Sequence, residues 1–354
     1  MILTDTKEWG TTKDKEQVYR YTLKNEFLEV NILNYGGIIQ EIRMPNRDNI
    51  FENIVLGFDE IRSYEERSPH FGAIVGRNAG RIKNGELLIK DKIYHLEKNN
   101  FNNNLHGYPD FYGNKIWDGK LEEFGEKGVL TLKRKSPHLE SNFPGNVEFT
   151  VKYTLEKNVL TLEYTGVPDR DTYINLTNHT YFNLSGDCKE DIGNQIITLN
   201  SNEYLKVDEE TIPVKIENVD NSIFDLRRGK KFQEVFESTD EQIKIVNKGF
   251  DHPFVLSKNN AKEIVASCYD EKSGRKLELI TTEPIIVLYT GNYLGEVGKI
   301  SKDVVCKNHF GFCLETQDYP DVTKFLPQKV IFNGSKNIYH QKTSLKLGIF
   351  KSFC

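Results

Sequence analysis

Hydrogen-bonding side chains cluster in five short segments of the sequence, each placed where an apolar run meets turn residues. The segments are GRNAGRIKNG with Arg77 and Arg81, NNNLHGYPDF with His106, NLTNHTYFNLSG with His179, GFDHPF with Asp251 and His252, and FGFCLETQDYPD with Glu315 and Gln317. Histidine and carboxylate side chains commonly act as general acids and bases near neutral pH, and arginine stabilises developing negative charge. Together the segments indicate proton transfer on a polar ligand.

Each segment also has an ordinary structural explanation when it is taken alone. An arginine beside glycines is commonly a solvated surface residue, His106 fits a turn, and Asp251 with His252 before Pro253 fits a turn start. Glu315 is the exception, because a carboxylate carried by a buried strand is costly unless it is paired or functional. The other histidines have only a structural explanation: His70, His95, His138, His309 and His340.

Composition bounds the class of protein before any element is assigned. The chain has 354 residues, 38% of them hydrophobic, and a formal net charge of −5, which argues against a nucleic-acid partner. The N-terminus shows no signal pattern, and no apolar run is long enough to cross a membrane. The five cysteines include no CxxC pair, so the sequence predicts neither a zinc site nor a disulfide framework, and a reducing cytoplasm is expected.

The elements that must position these segments are strands. Apolar residues alternate in runs such as FLEVNILNYGGIIQEI, QIITLN, EIVASCYD, RKLELITTE and PIIVLYTGNYL. The run NVEFTVKYTLEKNVLTLEYTG predicts a hairpin that turns at EKN. Only GKKFQEVFEST and FDEIRSYEE suggest short helices. We predict one all-β domain over residues 1–354 with large antiparallel sheets, although the pattern alone leaves sandwich, barrel and propeller open.

Taken in order, the five segments resemble those of the aldose 1-epimerases, or galactose mutarotases. The matching stretches are GR-x-x-x-R-I at 76–82, LHG at 105–107, NLTNHTYFNL at 175–184, G-x-DH-x-F at 249–254, LETQ-x-x-PD at 314–321, and YTGNYL at 289–294. The resemblance spans nearly the whole chain. It implies the large antiparallel β-sandwich of the galactose mutarotase type, a free aldohexose as substrate, and neither cofactor nor metal.

Interconverting the α and β anomers of a free sugar requires a base at the C1 hydroxyl and an acid at the ring oxygen. Glu315 is the expected base and His179 the expected acid, as the resemblance also implies. His106 and Arg81 would stabilise charge during ring opening, and Asp251 would hold the sugar's hydroxyls. Further expected substrate-binding residues are Asn178, Tyr181 and Gln317.

The polar stretch around His179 offers groups that would orient its imidazole. Asn175, Asn178 and the threonine hydroxyls are available for this purpose, and the sequence does not choose among them. Strand alternation would send Tyr181 and Phe182 to opposite sides, so at most one of the two lines the site.

Three other functions stay open from the residues alone. A glycoside hydrolase or lyase on a similar β scaffold needs two opposed carboxylates, for which Asp251 and Glu315 are the candidates. A sugar-binding module without activity would have no need of the acid–base pair. A metal-dependent β-barrel enzyme usually has H-x-H spacing, which this sequence lacks. The sequence does not distinguish a monomer from a homodimer.

Overall fold

The structure is a computed structural model that describes residues 1–257, 262–321, 331–334 and 337–350. Its first half contains these strands: β1 Leu3–Thr11, β2 Gln17–Lys24, β3 Glu29–Leu33, β4 Ile39–Pro45, β5 Phe51–Asn53, β6 Ile74–Val75, β7 Arg81–Ile82, β8 Glu86–Ile89, β9 Lys92–His95, β10 Asn104–Leu105, β11 Asp118–Phe124, β12 Lys127–Ser136, β13 Val147–Glu156, β14 Val159–Pro168, β15 Thr172–Tyr173 and β16 Thr177–Asn178.

The second half adds these strands: β17 Ile196–Leu199, β18 Ser201–Val207, β19 Pro213–Asn218, β20 Lys230–Lys231, β21 Asp251–Leu256, β22 Ala266–Tyr269, β23 Arg275–Thr281, β24 Ile285–Tyr289, β25 Cys313–Gln317, β26 Ile331–Phe332 and β27 Tyr339–Ile349. The helices are short: α1 Ile61–Arg67, α2 Phe232–Phe236 and α3 Glu241–Ile245.

Three large antiparallel sheets form the body of the protein. The largest has nine strands in the order β11-β12-β13-β14-β27-β23-β22-β17-β20, and the other two have five strands each, β1 to β5 and β19-β18-β21-β24-β25. The structure also has small two-stranded sheets, which include β7 with β10 and β6 with β16. The prediction of a large antiparallel all-β fold is confirmed.

The core follows the alternation that predicted the strands. In the predicted hairpin, β13 pairs with β14 around a turn at residues 157 and 158, and its inward side chains are buried: Val147, Phe149, Val151, Tyr153, Leu155, Leu160, Leu162 and Tyr164. These residues belong to one continuous apolar cluster that also takes in side chains from the two five-stranded sheets. Burial on this scale supplies the main driving force for folding.

Helices play a minor part in the described residues. The two predicted helices are present as α1 and α2, whereas α3 was not expected. None of the helices in the ranges that the structure describes is long and apolar enough to cross a membrane.

The sequence TYINLT at 172–177, in which Tyr173 and Ile174 are typical of a strand, forms little regular strand in the structure. Residues 172–178 contain only the two-residue strands β15 and β16, separated by residues outside regular strands. The physical reason is that the backbone of Asn175 hydrogen-bonds to residues 77 and 79, in a parallel bridge centred on Asn78. This bridge interrupts any continuous strand pairing over residues 172–178.

Candidate active site

The floor of the site is one face of the five-stranded sheet β19-β18-β21-β24-β25. Asp251 lies opposite Tyr289 on the neighbouring strand, and Tyr289 lies opposite Cys313 on the next. One step along, Val287 pairs with Glu315. Because side chains two residues apart share a face of a strand, Cys313, Glu315 and Gln317 all point the same way. The sheet therefore presents two carboxylates, from β21 and β25, on a common surface.

A cavity of about 250 Å³ opens over this face. Loops from the first half of the chain form its other walls, so residues far apart in sequence meet here. The cavity is lined by Pro69, His70, Gly80, Arg81, Asn100, Leu105, His106, His179, Tyr181, Thr211, Pro213, Asp251, Pro253, Val287, Tyr289, Tyr293, Glu315, Gln317 and Pro320. Small-molecule sites typically run from about 300 to 1,000 Å³, so this cavity suits a small ligand.

The expected acid and base are neighbours in the cavity. His179 Nε2 lies 3.5 Å from Glu315 Oε1, and both side chains are almost fully buried. The imidazole stacks on Tyr181, with ring centroids 4.9 Å apart, and its Nδ1 lies 3.4 Å from Cys313 Sγ. The backbone of His179 is hydrogen-bonded to Gly72 and Ala73, which fixes the entry of the ring into the cavity.

Burial shifts the titration of both groups toward their neutral forms. It raises the pKa of Glu315 well above its ordinary value, with a further contribution from the charge of Asp251 and an opposing one from Arg81. Burial also lowers the pKa of His179 to about 3, aided by His70. Perturbed carboxylate and imidazole groups that share a cavity are typical of acid–base sites.

His106 enters the cavity through the pairing of β7 with β10. Leu105 lies opposite Arg81 in that pair, which brings the histidine next to the arginine. The Gly80 N–H donates to His106 Nδ1 at 3.1 Å, and the His106 N–H donates to the Gly80 carbonyl at 3.0 Å. Since its Nδ1 accepts, the neutral imidazole carries its proton on Nε2.

Arg81 and Asp251 lie next to each other in the wall of the cavity. Arg81 Nη2 lies 3.8 Å from Asp251 Oδ2, and Arg81 Nε donates to Asn100 Oδ1 at 2.9 Å. Burial raises the pKa of Asp251 and the charge of Arg81 opposes the rise. The long ion pair leaves donors and acceptors of both groups available to a ligand.

Of the other expected binding residues, two line the cavity and one does not. Tyr181 lines the cavity, whereas Phe182 packs in the main core, so the two aromatics do point to opposite sides. Gln317 lines it as well, and its Oε1 is buried without a hydrogen-bond partner in the described residues. Asn178 does not line it: its side chain donates to the Gly72 carbonyl at 2.9 Å and accepts from Thr180. The structure thus gives Asn178 a role in holding the 72–73 segment.

Sequence reasoning missed several residues that line the cavity. His70 was expected to be structural, yet its ring lies 5.1 Å from that of His106 and 5.8 Å from that of His179, between centroids. Tyr289 and Tyr293 line the cavity too. The YTGNYL stretch was a signal for the tyrosines, whereas nothing in the spacing of SPHFG marks His70.

The site also has the donor set of a metal centre. One ligand atom from each of His106, His179 and Glu315 lies within 4.8 Å of the others. Two imidazoles that burial keeps neutral and one carboxylate suit zinc and similar ions. The lack of H-x-H spacing argued against a metal site at the level of sequence, but such spacing is not required here, since the fold assembles the donor set from three separate segments.

Comparisons with known proteins agree with this geometry. The family model described as aldose 1-epimerase matches residues 19–344. Galactose mutarotase of Homo sapiens is 35% identical, the match covering 86% of each chain, and aldose 1-epimerase of Haemophilus influenzae is 32% identical over 92% of this chain and 94% of its own.

Solved structures give the same result. The galactose 1-epimerase of Lactobacillus acidophilus superposes with a TM-score of 0.88 at 28% identity, covering 99% of this chain and 100% of that one. An aldose epimerase homologue from C. elegans has a TM-score of 0.84 at 25% identity, over 92% and 97% of the two chains. The chain belongs to the aldose 1-epimerase family.

Proposed function

We propose that this protein interconverts the α and β anomers of free aldohexoses such as galactose and glucose. The observation that carries the proposal is the contact of His179 Nε2 with Glu315 Oε1, at 3.5 Å, in the floor of a cavity that suits a single sugar. Family membership supports the same activity. Residues from 69 to 320 line the cavity, which supports treating the whole chain as one catalytic domain.

The reaction opens and recloses a hemiacetal ring. Glu315 takes the proton from the C1 hydroxyl while His179 gives one to the ring oxygen, so the C1–O5 bond breaks and an aldehyde forms. Rotation about C1–C2 presents the other face of the aldehyde. The ring oxygen then attacks C1, His179 recovers its proton from that oxygen, and Glu315 returns a proton to O1. No proton is gained or lost over the cycle.

The remaining polar groups hold the sugar and stabilise charge. Arg81 and the Nε2–H of His106 are placed to donate to the ring oxygen or a neighbouring hydroxyl as negative charge develops. Asp251 and Gln317 accept from sugar hydroxyls and so fix the orientation of the ring. Tyr181 supports the imidazole from behind rather than covering the sugar, because it stacks on His179.

The acid–base pair holds one proton in the working enzyme. Burial favours that proton on Glu315 before a sugar binds, since the pKa of Glu315 is raised and that of His179 lowered. The reactive arrangement, a carboxylate beside an imidazolium, has the same number of protons and differs only in which of the two groups carries the additional one. The titration limits therefore belong to the pair.

The direct test is polarimetry of freshly dissolved α-anomers of galactose, glucose and several disaccharides, with and without the protein. We expect the approach to the equilibrium rotation to accelerate in proportion to protein concentration, and to do so in the presence of a strong chelator. An unchanged rate on every aldose would refute the proposal. Loss of the acceleration on chelation would assign His106, His179 and Glu315 to a metal.

A further inference from the structure

We propose that Cys313 is a positioning residue that holds the imidazole of His179 with its proton on Nε2, the nitrogen that faces Glu315. The inference rests on the proposed function for its kinetic consequences. Its structural content, the tautomer of one histidine, can be measured whether or not the protein is active.

Both ring nitrogens of His179 contact side chains of one strand, β25. Nδ1 lies 3.4 Å from Cys313 Sγ, and Nε2 lies 3.5 Å from Glu315 Oε1. Cys313 and Glu315 are two residues apart on β25 and share a face. With Tyr181 stacked against the ring, rotation of the imidazole about its bond to Cβ would break both contacts and the stacking.

The asparagines and threonines expected to orient the imidazole do not bind it in the described residues: Thr177 Oγ1 has no hydrogen-bond partner there, and the others are engaged elsewhere. Asn175 accepts from the Asp318 N–H at 2.9 Å, which fixes the turn after β25. Asn178 binds the Gly72 carbonyl, and the hydroxyl of Thr180 donates to Asn178. Among the described residues, Cys313 is the side chain that makes a hydrogen-bond contact with Nδ1.

The direction of the contact follows from protonation. Cys313 is fully buried, and a thiol, whose ordinary pKa is about 8.5, keeps its hydrogen at neutral pH. A neutral thiol beside a neutral imidazole donates S–H to the unprotonated nitrogen. Nδ1 then accepts and the ring proton lies on Nε2.

His106 shows the same arrangement built with a different donor. There the backbone N–H of Gly80 donates to Nδ1 and leaves the proton on Nε2. Both histidines thus present an Nε2–H to the cavity, where a ring oxygen can accept it. A thiol suits the buried position of Cys313 because it adds a donor while packing as a small apolar group.

The test compares Cys313→Ala and Cys313→Ser with the wild type, using Cys268→Ala as the matched control. Cys268 is also a fully buried thiol in a strand, and it does not line the cavity. The ring ¹⁵N shifts of His179 report which nitrogen is protonated, and the rate of anomer exchange gives kcat and KM separately.

We expect the Nε2–H tautomer in the wild type and in Cys313→Ser, because the hydroxyl also donates. Cys313→Ala should mix the tautomers and lower kcat about tenfold, at the low end of losses when a supporting residue is removed. Its KM should change less than about twofold, since the residue does not touch the sugar. Cys268→Ala should leave kcat and KM unchanged.

Two results would overturn the inference. An Nδ1–H tautomer in the wild type would show that the sulfur accepts and that the proton faces away from Glu315. Wild-type ¹⁵N shifts and kcat in Cys313→Ala would show that the thiol only fills space. An inactive wild type that nonetheless shows the Nε2–H tautomer would refute the proposed function and leave the positioning role standing.

Discussion

Two arginines four residues apart in GRNAGR lie in opposite surroundings. Arg77 is 2% exposed, and its guanidinium donates to the carbonyls of Pro144 and Gly145, at 2.8 and 3.1 Å, and to the hydroxyl of Tyr112 at 3.2 Å. Further acceptors surround it: Thr172, Ser136 and Pro137. Among the described residues Arg81, by contrast, has one short hydrogen bond, to Asn100, and a long contact with the carboxylate of Asp251 in the wall of the cavity.

The next pair of neighbours repeats the contrast. His252 is fully buried among the rings of Phe224, Tyr204 and Phe250, and its Nδ1 accepts from the Asp251 N–H. Asp251 faces the cavity. In the arginine pair the residue whose hydrogen-bonding capacity is used inside the protein holds the fold, and the residue with capacity left over faces the ligand. In the second pair His252 Nε2 also lacks a partner among the described residues, but aromatic rings enclose it, whereas Asp251 lines the cavity. Unused capacity that faces the cavity, rather than residue type, marks function here.

The largest expected effect is on turnover, in variants of the residues that face the cavity. Glu315→Gln and His179→Asn should each lower kcat about a hundredfold or more, because each removes one proton-transfer group. Anomer exchange rates measure the loss, and denaturant unfolding should show little change in stability. Glu283→Gln, which removes a buried carboxylate outside the cavity, should keep the wild-type rate. Near wild-type turnover in either cavity variant would refute the assigned roles.

The two arginines separate activity from stability most clearly. Arg81→Lys should lower kcat about tenfold to a hundredfold, because a planar donor to developing charge is lost. Arg77→Lys should instead lower the free energy of unfolding by about 3 kcal/mol, since it leaves buried carbonyls without donors. Turnover per folded molecule should be unchanged in Arg77→Lys. An Arg77→Lys variant with normal stability and low turnover would reverse the comparison.

A smaller effect is expected at the second pair. Asp251→Asn should raise KM about tenfold with less change in kcat, if the carboxylate only holds hydroxyls. His252→Phe should leave KM within about twofold of wild type, because its ring packs among aromatics away from the cavity. Steady-state kinetics on both variants checks this, and a fall in kcat for Asp251→Asn without a rise in KM would give the aspartate a catalytic role.

The smallest expected effect is the dependence of the reaction rate on pH. Below the His179 pKa of about 3 the pair takes up a second proton and loses its base, and above the raised pKa of Glu315 it loses its proton and hence its acid. The rate should therefore be flat through mildly acidic pH and bounded on both sides. These directions reverse the expectation from ordinary pKa values, in which Glu315 sets the low limit and His179 the high one. A rate that rises through neutrality and never falls would mean a base working alone.

The sequence predicted the strands well because alternation reports burial directly. The hairpin at 147–164 and the apolar run into Glu315 are set by which residues avoid water. The convergence of Glu315, His179, His106, Arg81 and Asp251 in one cavity was also foreseeable, because sequence motifs contain these residues. Sequence did not reveal that Asn178 faces away, since residues 172–178 form only the two-residue strands β15 and β16 and their side-chain directions follow tertiary hydrogen bonds.

Two features of the site could not be predicted from the sequence for a different reason. His70 reaches the cavity by a loop whose backbone has a φ of 65° at that residue, and no local pattern predicts where such a loop points. The contact of Cys313 with His179 joins residues 134 positions apart. Short polar contacts between distant segments depend on the packing of whole sheets, which the pattern of one segment does not contain.

The central claim is that the pair formed by Glu315 and His179 opens and recloses a sugar ring. Exchange NMR between the two anomeric protons of galactose, in D₂O with chelator present, measures that event directly. We predict rapid exchange between the α and β signals with the wild type, no loss of the C1 proton to solvent, and no enhancement with Glu315→Gln. Exchange that is absent with the wild type, or that persists in Glu315→Gln, would contradict the account.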